Sequence, residues 1–343
     1  MWPEGRARDR LEVFLLLCEE LGGLGEGLDL GAIAEWIERR LPAVRVRREP
    51  KLCGRIGQAL GNINGAQRLI LGVCSPDFAA TELQRSARQA GLDPFGVEVV
   101  NLGTFCARVP SRLEGTDKAK LLLGAAVAKA RAFPRSGPEN TKPLLAWGDT
   151  KVSRRALFTL PPIHYEAVPS IRPADCAAGK GCRVCATTCP HQALNPSGEG
   201  AMLLDKTRCT ACGACVSVCP RTAIELPGAS PKQFEAHLAA LLNPEVPTPR
   251  PRGILFLCPR SALALEKLAG NGQSLAAGWL PVEVPCLGMV TPNWLLHGLR
   301  LGAAAVGVLP CPSDICRFGQ RDTVWERVDY VRELLLLLGG EAD

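Results

Sequence analysis

The stretch that decides the fold runs from Cys176 to Pro220 and contains eight of the sixteen cysteines in the chain. It reads Cys176-Ala-Ala-Gly-Lys-Gly-Cys182-Arg-Val-Cys185-Ala-Thr-Thr-Cys189-Pro190 and, after a connection, Cys209-Thr-Ala-Cys212-Gly-Ala-Cys215-Val-Ser-Val-Cys219-Pro220. The last three cysteines of the first run recur in the second run at a shift of 30 positions. A repeat of closely spaced cysteines predicts two metal centres that are built in the same way.

The spacing of these cysteines has a chemical reason. Two-residue gaps let three thiolates face one small concavity, whereas the cysteine before each proline lies too far along and ligates the other cluster. The pattern predicts two [4Fe–4S] clusters and resembles the bacterial two-cluster ferredoxins, although five residues follow Cys176 where two are usual. The first ligand set is Cys176, Cys182, Cys185 and Cys219, and the second is Cys209, Cys212, Cys215 and Cys189. The alternative is a pair of structural zinc sites, which doubled runs ending in Cys-Pro disfavour.

The composition bounds the class of protein. A chain of 343 residues with 47% hydrophobic residues suffices for two or three domains. The sequence has no run of 18 apolar residues that would span a membrane, and the short apolar run before Cys18 does not fit a secretory signal. Many cysteines in such a chain indicate metal binding in the reducing cytoplasm, not disulfides.

The formal charge of +6 does not indicate nucleic-acid binding. Each cluster with its four thiolates carries a charge of about −2, so four clusters would reverse the sign. The basic residues are also scattered, without aromatic residues between them.

The first 135 residues alternate apolar runs with helical patterns, which predicts a parallel sheet with helices on its faces. Predicted strands cover 11–18, 44–48, 68–74 and 97–101, and predicted helices cover 31–41, 78–91 and 117–133. Cysteines end or follow the strands, at the edge where open α/β sheets bind ligands. These cysteines are Cys18, Cys53, Cys74 and Cys106. The pattern alone leaves two interpretations open: a further cluster, or small buried hydrophobic side chains.

This region resembles the N-terminal domain of the A-type subunit of heterodisulfide reductase. The likeness is carried by Cys53-Gly54, Cys74-Ser75-Pro76, the run 90–95, Asn101-Leu102, Cys106 and the lysine- and alanine-rich helix 118–132. It implies a further [4Fe–4S] cluster on Cys18, Cys53, Cys74 and Cys106. Cys18 departs from the family because Glu19 and Glu20 follow it, where the family has a second cysteine and a glycine. The family's flavin domain opens on Gly-x-Gly-x-x-Gly, which this sequence lacks, so no FAD is expected.

The last 91 residues, 253–343, predict a second α/β unit in which each strand leads to a cysteine. Predicted strands cover 253–258, 280–286 and 303–311, and predicted helices cover 261–268, 292–301 and 323–338. The unit resembles the delta subunit of methyl-viologen-reducing hydrogenase through Phe256-Leu257-Cys258, the runs 284–288 and 302–308, and Cys311-Pro312-Ser313-Asp314-Ile315-Cys316. Pro312, Ser313 and Arg317 stand where that family has histidine and glycine. The resemblance implies one [2Fe–2S] cluster on Cys258, Cys286, Cys311 and Cys316; a zinc site or free thiols are the alternatives.

The expected fold class is α/β plus α+β, with two parallel-sheet α/β domains flanking a bacterial-type 2[4Fe–4S] ferredoxin domain. The boundaries are 1–135 for the N-terminal domain, 136–170 for a linker with a strand at 156–160, 171–228 for the ferredoxin domain, 229–252 for a linker with a helix at 231–242, and 253–343 for the C-terminal domain. The sixteen cysteines divide into four sets of four, each within one region.

These features predict a multi-cluster electron-transfer subunit. The resemblances imply that its partners are a hydrogenase or formate dehydrogenase on one side and a heterodisulfide-reductase-like flavin or thiol-disulfide oxidoreductase on the other. No acid–base or nucleophile constellation indicates a standalone catalytic site. Two alternatives stay open: a component of a quinone-linked membrane complex, and a non-redox zinc or iron–sulfur scaffold that is structural or binds nucleic acid.

Overall fold

A computed structural model describes residues 11–20, 27–61, 63, 67–74, 80–134, 141–144, 164–246, 250–312, 316 and 321–339. Its N-terminal region forms a four-stranded parallel sheet in the order β2-β1-β3-β4. The strands are β1 (Val13–Cys18), β2 (Val44–Glu49), β3 (Arg68–Val73) and β4 (Val97–Asn101), and the helices are α1 (Leu30–Arg40), α2 (Ile56–Gly61), α3 (Ala80–Gln89) and α4 (Arg112–Arg131). The two central strands, β1 and β3, are apolar and almost wholly buried, as expected for strands covered on both faces.

The strand order of this sheet creates a candidate binding edge. Successive strands lie on opposite sides of β1, and ligands in open α/β sheets bind beyond the carboxyl ends at such a switch point. Cys18 is the last residue of β1, and Cys74 directly follows β3. The expected parallel sheet is therefore present, and two of the predicted cysteines stand at its switch point.

The segment predicted as the first linker contains a pair of antiparallel strands, β5 (Thr141–Leu144) and β6 (His164–Ala167). The strand predicted at 156–160 lies outside the described residues. Strand β6 packs against α3 and so connects this segment to the N-terminal sheet.

The central cysteine-rich region consists of short elements that follow the sequence repeat. They are β7 (Ser170–Ile171), α5 (Val184–Thr188), β8 (Leu194–Pro196), β9 (Met202–Leu204), α6 (Ala214–Ser217) and β10 (Ile224–Glu225). Helices α5 and α6 begin 30 positions apart, as do the cysteine runs that contain them, and they pack against each other. Strand β7 pairs with β10 and β8 pairs with β9, both antiparallel.

Helix α7 (Pro231–Leu241) joins the two α/β regions. Ser230 and Gln233 form a capping box at its start, which fixes where the helix begins. The helix packs along α4 of the N-terminal region. On its other side, Phe234 stacks on Trp294 of the C-terminal region, with ring centroids 3.6 Å apart. The segment predicted as a second linker thus contains a helix that is packed on both sides.

The C-terminal region is a three-stranded parallel sheet in the order β12-β11-β13. Its elements are β11 (Gly253–Leu257), α8 (Pro259–Gly270), β12 (Trp279–Glu283), α9 (Pro292–Arg300), β13 (Ala305–Leu309) and α10 (Arg321–Leu337). Cysteines follow each strand at its carboxyl end, as the sequence predicts. Within the described residues, no helix combines the length and the apolar character needed to cross a membrane.

Candidate metal centres

The first predicted ferredoxin set lies close together. The pKa of the Cys185 thiol is raised to about 11, first by burial and then by the charges of neighbouring thiolates. Those neighbours are Cys219, Cys176 and Cys182. All four members of the set therefore interact electrostatically, including Cys176 beyond the five-residue insertion.

The second predicted set lies beside the first. The pKa of Cys215 is raised well above its ordinary value, chiefly by burial and then by four neighbouring thiolates. These are Cys212, Cys209, Cys185 and Cys189. Three of them complete the second set, and Cys185 belongs to the first, so the two sets adjoin.

The sulfur atoms in this region accept hydrogen bonds from the backbone in a repeated pattern. The N–H of Ala193 donates to Sγ of Cys189 at 3.3 Å, and the N–H of Ala223 donates to Sγ of Cys219 at 3.3 Å. These two pairs are related by the 30-residue shift of the sequence repeat. Hydrogen bonds to thiolate sulfur are one of the means by which proteins set cluster potentials, so this arrangement fits iron–sulfur ligation.

The C-terminal cysteines share a cavity of about 350 Å³. The cavity is lined by all four members of the predicted set, Cys258, Cys286, Cys311 and Cys316, and by Thr210 and Ala211 of the ferredoxin region. The pKa values of Cys286 and Cys311 are both raised to about 12, first by burial and also by thiols of the same set. Four thiols around one cavity are the donor set that a single cluster requires, so the residues present fit the group.

Ser261 contacts Cys258, the first cysteine of this set. Its hydroxyl accepts a hydrogen bond from the N–H of Cys258 at 2.9 Å and lies 3.2 Å from Sγ of Cys258. Ser261 is 1% exposed and stands three residues after Cys258, at the position that completes a capping box of α8. Ser261 was not predicted as a site residue, because Cys-Pro-Arg-Ser lacks the Ser or Thr at the first position and the Glu or Gln at the fourth that mark a capping box in a sequence.

The C-terminal cavity and the ferredoxin region meet at Cys212 and Cys286. These two cysteines and Ala214 form one buried cluster, and the charge of Cys212 contributes to the raised pKa of Cys286. Gly213 directly follows Cys212 and has a φ of +81°. A methyl group on it would be 2.5 Å from Sδ of Met289. The absence of a side chain at Gly213 therefore permits the close approach of the two regions.

Two of the N-terminal cysteines, Cys74 and Cys106, lie on backbone segments that contact each other at a glycine. Cys106 is 0% exposed within a single π-helical turn, Gly103–Ala107. A methyl group on Gly103 would be 2.1 Å from the carbonyl oxygen of Cys74, so the backbones carrying Cys74 and Cys106 touch. Cys18 is buried at the end of β1, and Cys53 lies in a short 3-10 turn, Leu52–Gly54. The structure thus brings the Cys74 and Cys106 segments together at the predicted edge.

Lys118, like Ser261, is a residue near a predicted ligand that was not predicted from the sequence. Burial raises the pKa of the Cys106 thiol to about 12, and the charge of Lys118 opposes that rise. The pKa of Lys118 is itself lowered to about 8 by burial, since its side chain is 0% exposed. A lysine in a lysine- and alanine-rich helix predicts a solvated face, so no signal in the sequence indicated this position.

Within the described part of the chain, no three metal-binding side chains converge on a point that a single ion would occupy. The fit to clusters therefore rests on neighbouring thiols and hydrogen bonds to sulfur in the ferredoxin region, and on the cavity in the C-terminal region.

Comparison with known proteins agrees with the division of the chain. The family described as 4Fe-4S binding domain matches residues 202–225, and the family described as methyl-viologen-reducing hydrogenase, delta subunit, matches residues 254–343. The chain is an iron–sulfur protein. Its delta-type match covers the C-terminal sheet except for Gly253 and includes all four cysteines of the cavity.

Three curated relatives extend the comparison. The A-type iron-sulfur subunit of CoB–CoM heterodisulfide reductase from Methanocaldococcus jannaschii is 26% identical over an alignment of 264 residues. The match covers 64% of this chain and 39% of that protein. The A-type subunit of ferredoxin:CoB-CoM heterodisulfide reductase from Methanosarcina acetivorans is 28% identical over 135 residues, 38% of this chain and 16% of that protein. The B-type subunit of the ion-translocating oxidoreductase complex from the same organism is 48% identical over 46 residues, 13% of this chain and 17% of that protein.

The chain therefore spans less than two fifths of the length of these relatives. The predicted resemblances to the A-type subunit of heterodisulfide reductase, to a 4Fe–4S ferredoxin domain and to the hydrogenase delta subunit are all confirmed. The chain is thus similar to the iron–sulfur A-type subunits of heterodisulfide reductase, and it carries one match to a 4Fe-4S binding domain and one to a hydrogenase delta subunit.

Proposed function

We propose that the chain relays single electrons through four iron–sulfur clusters, one on each set of four cysteines. Bound clusters would supply the one-electron chemistry, while the protein supplies thiolates, burial and hydrogen bonds to sulfur. The ferredoxin sets would hold two [4Fe–4S] clusters, the N-terminal set a third, and the C-terminal set a [2Fe–2S] cluster, with no FAD. The N-terminal assignment includes Cys18 and Cys53, which follow from the family resemblance alone.

The junction between Cys212 and Cys286 carries this proposal. The C-terminal cavity has a wall formed by Thr210 and Ala211, so the C-terminal thiols lie directly against the second ferredoxin set. Cys185 in turn lies beside Cys215, which continues the line of thiols into the first set. In the N-terminal region, α3 packs against β6, the strand that precedes the ferredoxin region. This order supports a relay with the C-terminal set at one end and the N-terminal set at the other.

The partners we propose follow from the proteins to which the chain is similar. A hydrogenase or a formate dehydrogenase would exchange electrons with the C-terminal set, because that domain matches a hydrogenase delta subunit. Proteins of the heterodisulfide reductase type, carrying the flavin that this sequence lacks, would exchange electrons with the N-terminal set. The chain itself would perform no further catalysis.

Metal analysis tests the number of clusters. Protein purified without oxygen should contain about 14 iron atoms per chain, with acid-labile sulfide in equal amount, if three cubanes and one two-iron cluster are present. Electron paramagnetic resonance after dithionite reduction should show a [2Fe–2S] signal among [4Fe–4S] signals. About 8 iron atoms would confine the relay to the ferredoxin region, and zinc without sulfide would overturn the proposal in favour of a scaffold.

Affinity purification of the tagged full chain from its native cells tests the partners. Recovery of a hydrogenase or formate dehydrogenase together with a heterodisulfide-reductase-type protein is the expected result. Recovery of quinone-reducing membrane proteins in their place would support the alternative of a component of a membrane complex.

A further inference from the structure

Lys118 occupies a position that is unusual for a lysine. Its side chain is among the largest that the structure buries completely, and lysines are almost never fully buried without a partner. Its Nζ donates a hydrogen bond to the carbonyl oxygen of Ala276 at 3.3 Å. Burying an ammonium group costs free energy, so a buried lysine needs a compensating negative charge.

The backbone places Lys118 on the face of α4 that contacts Cys106. A methyl group on Gly115 would lie 2.5 Å from the carbonyl oxygen of Cys106, so the helix and the π-helical turn touch at that point. Residues three apart on a helix share one face, and Lys118 therefore projects from the contact surface. The electrostatic interaction between Lys118 and Cys106 agrees with this placement.

The C-terminal region contacts the same surface of the N-terminal region, around α4 and the π-helical turn. Ala276 lies in the connection between α8 and β12, and the guanidinium of Arg108, two residues after Cys106, donates to the carbonyl oxygen of Ala269 near the end of α8. Lys118 and Arg108 thus both contact backbone carbonyls of the other α/β region. Those contacts keep water away and preserve the strength of the charge on Lys118.

We propose that Lys118 is a positioning residue that raises the reduction potential of the N-terminal cluster. This inference rests on the N-terminal cluster of the proposed function. When that cluster accepts one electron from the relay, its negative charge grows by one unit, and the buried ammonium stabilises the reduced form more than the oxidised form. No proton and no covalent bond change in this step.

The test is a redox titration of the loaded full-length protein, followed by electron paramagnetic resonance. The signal of the N-terminal cluster is first assigned as the one that disappears in the Cys106→Ala variant, which removes the thiolate and leaves no other ligand atom at that position. Lys118→Met and Lys118→Gln should then shift the equilibrium of that cluster at least tenfold towards the oxidised form, which is about 59 mV for one electron. Lys118→Arg keeps the charge and should retain the potential within threefold in the same equilibrium.

Lys120→Met is the matched control, because Lys120 lies on the same helix and pairs with Asp117 at 2.9 Å. It removes the same charge and should leave the signal in place. Equal shifts in Lys118→Met and Lys120→Met, or no shift in either neutral variant of Lys118, would overturn the inference.

Three further outcomes are decisive. If both neutral variants lose the N-terminal cluster while Lys118→Arg keeps it, the positive charge is required and the inference stands in a stronger form. If all three variants lose it, the residue is merely structural and the inference is wrong. If Cys106→Ala removes no iron from the protein, the N-terminal cluster of the proposed function fails instead, and this result is distinguishable from the others.

Discussion

The two parallel sheets place their cysteines at the same edge but surround them differently. At the C-terminal sheet, four cysteines line a cavity of about 350 Å³ whose opposite wall belongs to the ferredoxin region. At the N-terminal sheet, Cys74 and Cys106 lie on backbones pressed together through Gly103, beside the buried Lys118. The C-terminal thiols face one another, and the half-buried guanidinium of Arg327 interacts with Cys286, whereas Cys106 interacts with the fully buried ammonium of Lys118. Equivalent positions in two α/β units therefore differ in how deeply the nearby positive charge is buried and in how many thiols lie close together.

The largest loss of stability is expected from a substitution in α7, the helix that joins the two α/β regions. Phe234→Ala removes the ring that stacks on Trp294 and should destabilise the packing of α7 by about 3–5 kcal/mol, because the ring is buried and leaves a cavity. The measurement is the denaturant midpoint of the loaded protein, followed by circular dichroism. Leu263→Ala, at a leucine that is 50% exposed, is the control. An equal midpoint for the two variants would show that α7 does not join the sheets energetically.

The second prediction addresses the N-terminal edge alone. Gly103→Ala places a methyl group 2.1 Å from a carbonyl oxygen and should cost about 3 kcal/mol, with loss of the N-terminal cluster signal and retention of the C-terminal one. The control is Gly61→Ala, where the added methyl group meets nothing within 4 Å. Iron analysis and paramagnetic resonance on both variants decide the matter. Loss of all cluster signals together would mean that the two edges are not independent.

The third prediction addresses the junction between the ferredoxin region and the C-terminal cavity. Gly213 and Gly181 both have a left-handed backbone, with φ of +81° and +90°, but only Gly213 faces Met289. Alanine at either position carries the backbone strain, so the difference between the two variants isolates the contact. Gly213→Ala should cost about 1–3 kcal/mol more than Gly181→Ala and broaden the signal of the C-terminal cluster. Identical thermal unfolding and spectra for both variants would contradict the contact.

The smallest effect is expected from a single hydroxyl at the C-terminal edge. Ser261→Ala removes the group 3.2 Å from Sγ of Cys258 and should lower the potential of the C-terminal cluster by less than a tenfold change in its redox equilibrium, which is about 59 mV. A neutral hydroxyl acts more weakly than the ammonium of Lys118, because the hydroxyl carries no net charge. Ser217→Ala is the control, because that hydroxyl donates to the carbonyl of Ala214. A larger shift for Ser261→Ala than for Lys118→Met would reverse the comparison of the two edges.

The local features of this molecule were predictable from the sequence. Alternating apolar runs and helical patterns predicted both parallel sheets, because strand and helix periodicities differ. The position of Cys18, Cys258 and Cys311 at or just after strand ends followed directly from those runs. Helix α7 was predicted as well, from residues 231–242.

The long-range contacts were not predictable. Lys118 and Ala276 are 158 residues apart, and nothing in either segment indicates that they meet. Helix α4 is buried on most of its surface between α1 and α7, so its lysines carry no amphipathic signal. The contact of Gly103 with Cys74 depends likewise on how two loops approach each other, a property of the folded chain and not of local pattern. The ligand assignments of all four cysteine sets remain predictions.

The wall of the C-terminal cavity has one more consequence. Thr210 and Ala211 cover the four C-terminal thiols from outside their own domain. Access of water and dioxygen to a cluster at that position is therefore governed by the fit between two domains as much as by the four cysteines. Damage at the interface, with every ligand intact, would shorten the lifetime of that cluster in air.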